Sequence, residues 1–150
     1  MKKNLLIIIP VYNEQSNIKP IVLKIFKEIK RKVNILFIDD NSQDKTRSQI
    51  YLSKKKYKEI YLIKRGSKLG IGSAHKCGLK WGYLKKYKTI VTMDCDGTHH
   101  PKYIIKMLNT LKKNNFDIIS TNRFLEKNSL KDWTLWRKYL TTLRHTVIKF

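Results

Sequence analysis

The sequence is short of negative charge, of arginine and of cysteine, and each shortage narrows what the chain can be. Its two cysteines, Cys77 and Cys95, stand in unrelated contexts with no Cys/His spacing suited to a metal. That excludes a disulfide framework and fits a reducing, cytoplasmic setting. No apolar run approaches the roughly 20 residues of a transmembrane helix, so any membrane contact is expected to be peripheral. The N-terminal run Leu5–Ile9 imitates a leader peptide, but Pro10 cuts it and Asn13-Glu14 follow without a small-residue cleavage site. It reads as a first strand. No internal repeat, low-complexity linker or second-domain boundary is visible, and 150 residues make a single domain, 1–150, with room for a core.

Against 11 acids stand 33 lysines and arginines, a formal net charge of +22. Lysine is spread through every predicted helix, as on solvated faces, yet such a surface favours anionic partners: nucleic acid, phosphorylated ligands or acidic lipid. The rare residues say more. Four of the 11 acids are Asp39, Asp40, Asp94 and Asp96, each at the end of an apolar run. Like charges gathered in a basic protein point to a cation or ligand between them.

Near-continuous apolar runs at Leu5–Ile9, Ile35–Ile38, Ile60–Ile63 and Ile90–Met93 read as strands buried on both faces, as in a parallel sheet. Between them lie helical patterns. Ile18, Ile21, Val22, Ile25 and Ile29 follow Ser16 as expected cap; a second helix starts near Asp44 and ends in Lys54-Lys55-Lys56. Ala74, Cys77, Trp81 and Leu84 mark the inner face of a third, and Ile104, Met107, Leu108 and Leu111 that of a fourth opened by Pro101. Phe116–Ser120 is expected as a fifth strand. This predicts an α/β fold, an open, doubly wound, mostly parallel sheet with helices on both faces and central order 3-2-1-4. The switch point then lies between strands one and four, so Tyr12-Asn13-Glu14, Asp39-Asp40 and Asp94-Cys95-Asp96 meet in one crevice at the carboxyl edge.

Asp94 and Asp96 are either turn residues or a pair converging on a hard divalent cation, Mg²⁺ or Mn²⁺, able to bridge a diphosphate. Cys95, one residue out of phase, should face away from them, and His99 and His100 are expected in structural or supporting roles. Gly70-Ile71-Gly72 has His75 where a dinucleotide loop needs a third glycine, and no P-loop occurs. Lys68 and the helix N-terminus beyond it can still face an anion, or merely turn the chain.

Ile9-Pro10-Val11-Tyr12-Asn13-Glu14, Ile38-Asp39-Asp40-Asn41-Ser42-Gln43-Asp44-Lys45-Thr46, Lys68-Leu69-Gly70-Ile71-Gly72-Ser73-Ala74, Met93-Asp94-Cys95-Asp96 with His99-His100-Pro101, and Phe116 to Phe124 occur in this order. Together they resemble the inverting family-two glycosyltransferases of the GT-A fold, most closely the dolichyl- or polyprenyl-phosphate mannosyltransferase group. The resemblance implies transfer of a hexose, mannose or glucose, from a nucleoside diphosphate sugar such as GDP-mannose or UDP-glucose to a polyprenyl or dolichyl phosphate. It implies that Pro10, Tyr12, Glu14, Asp39, Asp40, Lys68 and Cys95 line the nucleotide-sugar pocket, Asp39 reading the base. Asp94 and Asp96 would hold Mg²⁺ or Mn²⁺, Asp96 and Arg123 would serve catalysis, and Arg123 and Arg137 would bind phosphate, where a guanidinium fork is better suited than an ammonium. Gly97 and Thr98 depart from the family's pattern after the metal motif. Relatives also run well past Phe150, so a chain truncated at the acceptor side is expected, with a second chain as one source of the missing elements. The alternative is an inactive or split-enzyme fragment acting as a basic anion-binding module for nucleotide, lipid or nucleic acid; no nucleic-acid motif supports the last.

Trp133, Trp136, Leu140, Leu143 and Val147 recur at helical spacing over 133–150, opposite Lys138, Arg144, His145 and Lys149. This stripe is either core packing or an interfacial helix at the cytoplasmic face of a membrane, where a lipid-phosphate acceptor resides.

Overall fold

The computed structural model of the protein describes residues 5–121, 134–136 and 138–141. Four strands, β1 (Leu5–Val11), β2 (Asn34–Asp39), β3 (Ile60–Lys64) and β4 (Thr89–Thr92), alternate with α1 (Ile18–Glu28), α2 (Thr46–Lys56), α3 (Ile71–Leu84) and α4 (Lys102–Lys113). All pairings are parallel and the order is β3-β2-β1-β4, as the sequence pattern predicts.

β1 is central and its side chains divide the core. Leu5, Ile7, Ile9 and Val11, with Ile35 and Phe37 of β2, pack under α1, Ile50 of α2 and Ile104 of α4. Leu6, Ile8, Leu36 and Ile38 face the other way, toward Ala74 of α3. A strand covered on both faces needs an apolar residue at every position, which is why these runs do not alternate. α1 buries Ile18, Ile21, Val22 and Ile25, and Ile29 just beyond it. It starts at Ile18 after Asn17, which makes no side-chain cap, so the expected cap at Ser16 is not used.

Pro10 gives the sheet its opening. The Ile8 carbonyl accepts the Met93 N–H, and residues two apart in a strand direct their backbone toward the same neighbour. The missing N–H of Pro10 therefore falls where the β1–β4 ladder would continue, and the ladder stops. β1 remains paired with β2 through Val11 while the chain after β4 turns away.

Three other expectations are corrected. Phe116–Ser120 forms no strand: Phe116 and Ile118 are exposed, and β4, with four residues, offers little ladder to extend. The buried line of α3 is Ala74, Gly78 and Gly82, with Cys77 and Trp81 flanking it and Leu84 exposed. Glycine carries no apolar signal in a sequence, but it lets the helix lie against the sheet. On α4 only Ile104 is fully buried, while Met107, Leu108 and Leu111 are half-buried.

A Cβ at Gly78 would lie 2.5 Å from Ile8 Cγ2, and one at Gly82 would lie 2.8 Å from the terminal methyls of Ile90 and Leu6. The Ile8 methyl sits on a branched Cβ and cannot swing aside. Gly78→Ala should therefore lower stability by about 1–2 kcal/mol, overpacking outweighing the gain in helix propensity, with Gly82→Ala losing less. Urea midpoints check this; a stabilised Gly78→Ala protein would mean that α3 can back away from β1.

Candidate functional site

Beyond the carboxyl ends of β1 and β4 lies a cleft of about 330 Å³. Its walls include Pro10, Tyr12, Glu14, Asp40, Lys68, Asp94, Cys95 and Asp96, joined by Gly70, Ile71 and Ala74 at the start of α3. A wider hollow of about 630 Å³ along α4, lined by Lys102, Ile105 and Lys106 among others, contains no carboxylate and lies off the strand ends. The chemistry belongs to the first.

One nucleotide-pocket candidate is misplaced. Asp39 is fully buried and does not reach the cleft; its carboxylate binds the Arg47 Nε–H and accepts the Ser42 N–H at 3.2 Å. Successive residues at a strand end face opposite ways, so Asp40 stands in the cleft instead. Its oxygens accept the N–H groups of Leu69 (3.0 Å) and Gly70 (2.7 Å), and pair with Arg65 Nη1 at 3.0 Å. Arg65 Nη2 in turn donates to Ser73 Oγ at 2.6 Å. This network fastens the 66–70 loop across the cleft, with Gly70 at φ +87°, a backbone only glycine takes up readily. Lys68 is carried in that loop, its ammonium 3.7 Å from the centre of the Tyr12 ring, a cation–π contact at the cleft wall.

Asp94 and Asp96 behave differently. Asp96 is exposed and Asp94 half-exposed. The Asp94 N–H lies 3.1 Å from His99 Nδ1, to which it donates, and the same ring nitrogen stands 3.6 Å from Asp94 Oδ2. Thr98 donates both its N–H (3.0 Å) and its hydroxyl (2.7 Å) to Asp96 Oδ1, a tight turn completed by Gly97 at φ +83°. His100 Nδ1 accepts the Lys102 N–H, a local bond at the start of α4. The histidines are thus supports, as expected. Among the described residues no lysine or arginine pairs with Asp94 or Asp96. Nor do three metal-binding side chains cluster among them, so a cation here would take two carboxylates from the protein and its other oxygens from ligand or water. The all-oxygen donor set fits Mg²⁺ or Mn²⁺. Arg123 and Arg137 lie outside the described residues.

Several residues that shape the site have no role assigned from the sequence, although Ser42, Asp44, Thr46 and Ser73 stand within its motifs. Arg47, Arg65 and Ser73 secure the acids; Ser42, Asp44 and Thr46 receive backbone donors from the loop after β1. The available signal was the alternation Ser42-x-Asp44-x-Thr46, three short acceptors in a loop facing another loop.

The sequence matches glycosyl transferase family 2 over residues 6–149. The chain belongs to that family, and its fold is the GT-A fold. It is 30% identical over 146 residues to polyprenol monophosphomannose synthase of Mycolicibacterium smegmatis, covering 97% of this chain and 54% of the relative. It is 31% identical to an uncharacterized protein of Methanocaldococcus jannaschii, covering 91% of this chain and 54% of that protein. The chain thus spans about half the length of these relatives. Among solved structures, mannosyltransferase PcManGT of Pyrobaculum calidifontis, in complex with GDP-Man and Mn²⁺, superposes with a TM-score of 0.54 at 19% identity, over 64% of this chain and 28% of that one. S. aureus TarS 1-349 with UDP-GlcNAc gives 0.60 at 17% identity, over 75% and 32%.

Cys95 does face inward, into the core beneath Asp94 and Asp96. Burial, and then the charges of Glu14, Asp96 and Asp94, push its thiol from an ordinary 9.0 up to about 12. Well below pH 9 the thiol is neutral folded or unfolded. Between 9 and 12 the unfolded chain ionises first, so the stability that depends on a neutral Cys95 is lost as pH rises through that window. At pH 8.5 native Cys95 should resist iodoacetamide and become labelled only on unfolding, as read by peptide mapping. Native labelling at the rate of a free thiol would contradict this environment.

Proposed function

We propose that the chain is the donor-binding part of a glycosyltransferase that moves a hexose, mannose or glucose, from a nucleoside diphosphate sugar to a polyprenyl or dolichyl phosphate with inversion. The observation that carries this reading is the pair Asp94 and Asp96. In a chain of net charge +22, Asp39 and Asp40 at the end of β2 are each bound by an arginine, whereas among the described residues these two have no arginine or lysine partner and keep carboxylate oxygens open to the cleft. The likeness to a polyprenol monophosphomannose synthase supports the acceptor, and solved relatives with Mn²⁺ and nucleotide sugars support the donor.

On this reading Tyr12 offers a face to the base, Lys68 stands ready to leave the Tyr12 ring for a phosphate, and Asp94 and Asp96 hold Mg²⁺ or Mn²⁺. That cation, when bound, neutralises charge on the departing diphosphate. Thr98 keeps the Asp96 carboxylate oriented, and His99 holds the Asp94 backbone through its N–H. An oxygen of the acceptor phosphate attacks the anomeric carbon opposite the diphosphate; the new C–O bond forms as the old one breaks, and the nucleoside diphosphate leaves. A phosphate monoester with a second pKa of about 6 is already ionised near neutral pH, so no general base is needed. Arg123 and Arg137 are assigned to phosphate by the family's pattern.

Calorimetric titration with GDP-mannose and UDP-glucose, with and without Mn²⁺, tests the donor reading. Asp96→Asn should weaken binding at least about tenfold in Mn²⁺, the loss of one charge-assisted contact, and hardly at all in chelator. Equal weakening in both would leave Asp96 a turn residue.

The acceptor reading requires the bilayer surface, and we assign the protein to the cytoplasmic face as a peripheral binder. Among the described residues at 134–136 and 138–141, Leu135, Trp136, Tyr139 and Leu140 are exposed, Trp136 and Tyr139 with ring centres 6.0 Å apart, while Trp133, Leu143 and Val147 of the same stripe lie outside the described residues. Exposed aromatics beside lysines suit a membrane interface. No helix among the described residues is long and apolar enough to cross a membrane. The protein should co-sediment with anionic vesicles, less so in high salt, and Trp136→Glu should reduce binding without lowering the melting temperature. Undiminished binding by Trp136→Glu would move the contact elsewhere.

A further inference from the structure

The loops after β1 and β2 are sewn together by bonds that cross between them. Asn13 N–H donates to Ser42 Oγ (3.0 Å), Glu14 N–H to Thr46 Oγ1 (2.7 Å) and Gln15 N–H to Asp44 Oδ2 (3.2 Å). In return, Gln43 N–H donates to Asn13 Oδ1 (2.9 Å) and Lys45 N–H to Gln15 Oε1 (3.1 Å). Asn13 and Asn41 are held in the left-handed region, at φ +56° and +66°. Such backbones persist only where their surroundings over-determine them. Joining a strand to a helix does not require this, since a few unstrained residues suffice. What the bonds fix are Tyr12 and Glu14, which flank Asn13 and line the cleft.

Thr46 is the centre of this clasp. It is fully buried, and its hydroxyl donates its single hydrogen to Asp44 Oδ1, leaving a lone pair aimed at the Glu14 N–H. The same Asp44 oxygen accepts the Thr46 N–H at 2.9 Å. Asp44 is partly desolvated, which alone would raise its pKa, yet the bonds from Thr46 and Gln15 hold it below the ordinary 3.8. It is therefore an ionised acceptor at neutral pH.

We propose that Asp44 and Thr46 are positioning residues of the donor pocket: without lining the cleft themselves, they fix the Glu14–Gln15 backbone and so set where Tyr12 and Glu14 stand. The proposal rests on the donor-binding reading above. A plain helix-capping role differs in one respect: the bond that the Thr46 N–H donates to Asp44 Oδ1 is local, and losing it alone would change stability and not affinity.

The test is calorimetry with GDP-mannose and UDP-glucose in Mn²⁺ on the whole chain, with a melting curve for each variant. Thr46→Val keeps the shape and loses the hydroxyl; it should weaken binding about tenfold, and Thr46→Ser should restore it to within about twofold. Ile50→Val, in the core side of α2 and outside both loops, controls for stability and should bind as the parent does. Thr46→Val binding like the parent, or an affinity loss in Ile50→Val matching that of Thr46→Val, overturns the clasp while leaving donor binding intact. A parent chain that binds neither nucleotide sugar removes the donor reading, and the clasp's role with it.

Discussion

A strand that is paired along both edges and covered on both faces has nowhere to put a charge until it ends. β1 is such a strand: Leu5 to Ile9 are all buried, Leu6 to Ile9 completely. Burying each of these side chains favours folding by about 2 kcal/mol, whereas an unpaired charge among them would cost several. The polar chemistry of the molecule is thereby expelled to the strand termini. Pro10 then decides the direction of the expulsion, since it ends the ladder to β4 and keeps the ladder to β2. The cleft opens between the two strands that no longer pair.

At that edge, identical side chains have different fates according to what they meet. Asp39 meets Arg47 and a buried amide, and Asp40 meets Arg65 and two amides, so both are spent on holding loops in place. A buried carboxylate paired in this way is satisfied and has little left to offer a ligand. Asp44 is likewise consumed by amides. Asp96 accepts two bonds from Thr98 that orient its carboxylate without neutralising it, and Asp94 is held by its backbone N–H on His99. Their own segment offers no cation to pair with them: β4 and its turn contain no basic residue from Thr89 to Pro101 apart from the histidines.

The sheet was legible because burial on both faces writes itself as unbroken apolar runs, and the order of strands followed from handed crossovers. What failed did so for local reasons. Asp39 and Asp40 are adjacent, and which of them faces the cleft depends on the phase of the strand at its last residue, which no composition rule fixes. The face of α3 is built on Gly78 and Gly82, whose contribution is the volume they do not occupy. Phe116–Ser120 has the composition of a strand, but a strand exists only by pairing, and the four-residue edge of β4 supplies no ladder for it. The clasp joins positions 29 to 32 residues apart through backbone amides, and amides are the same in every sequence.

These differences divide the cleft into halves of unequal stiffness. The half formed by Tyr12, Glu14 and Asp40 is held by β1 and β2 and by bonds that tie distant segments, so its geometry is present before any ligand arrives. The half formed by Asp94 and Asp96 hangs from β4, at the edge of the sheet among the described residues, and is held by bonds reaching only two to five residues along the chain. Short-range bonds resist little collective movement, and edge segments open at lower free energy than core strands. On the donor-binding reading, the base therefore meets a preorganised wall, while the diphosphate and its cation supply part of the order of the wall they meet. That ordering is subtracted from the affinity, which makes donor binding depend on the cation for the shape of the site as well as for its charge.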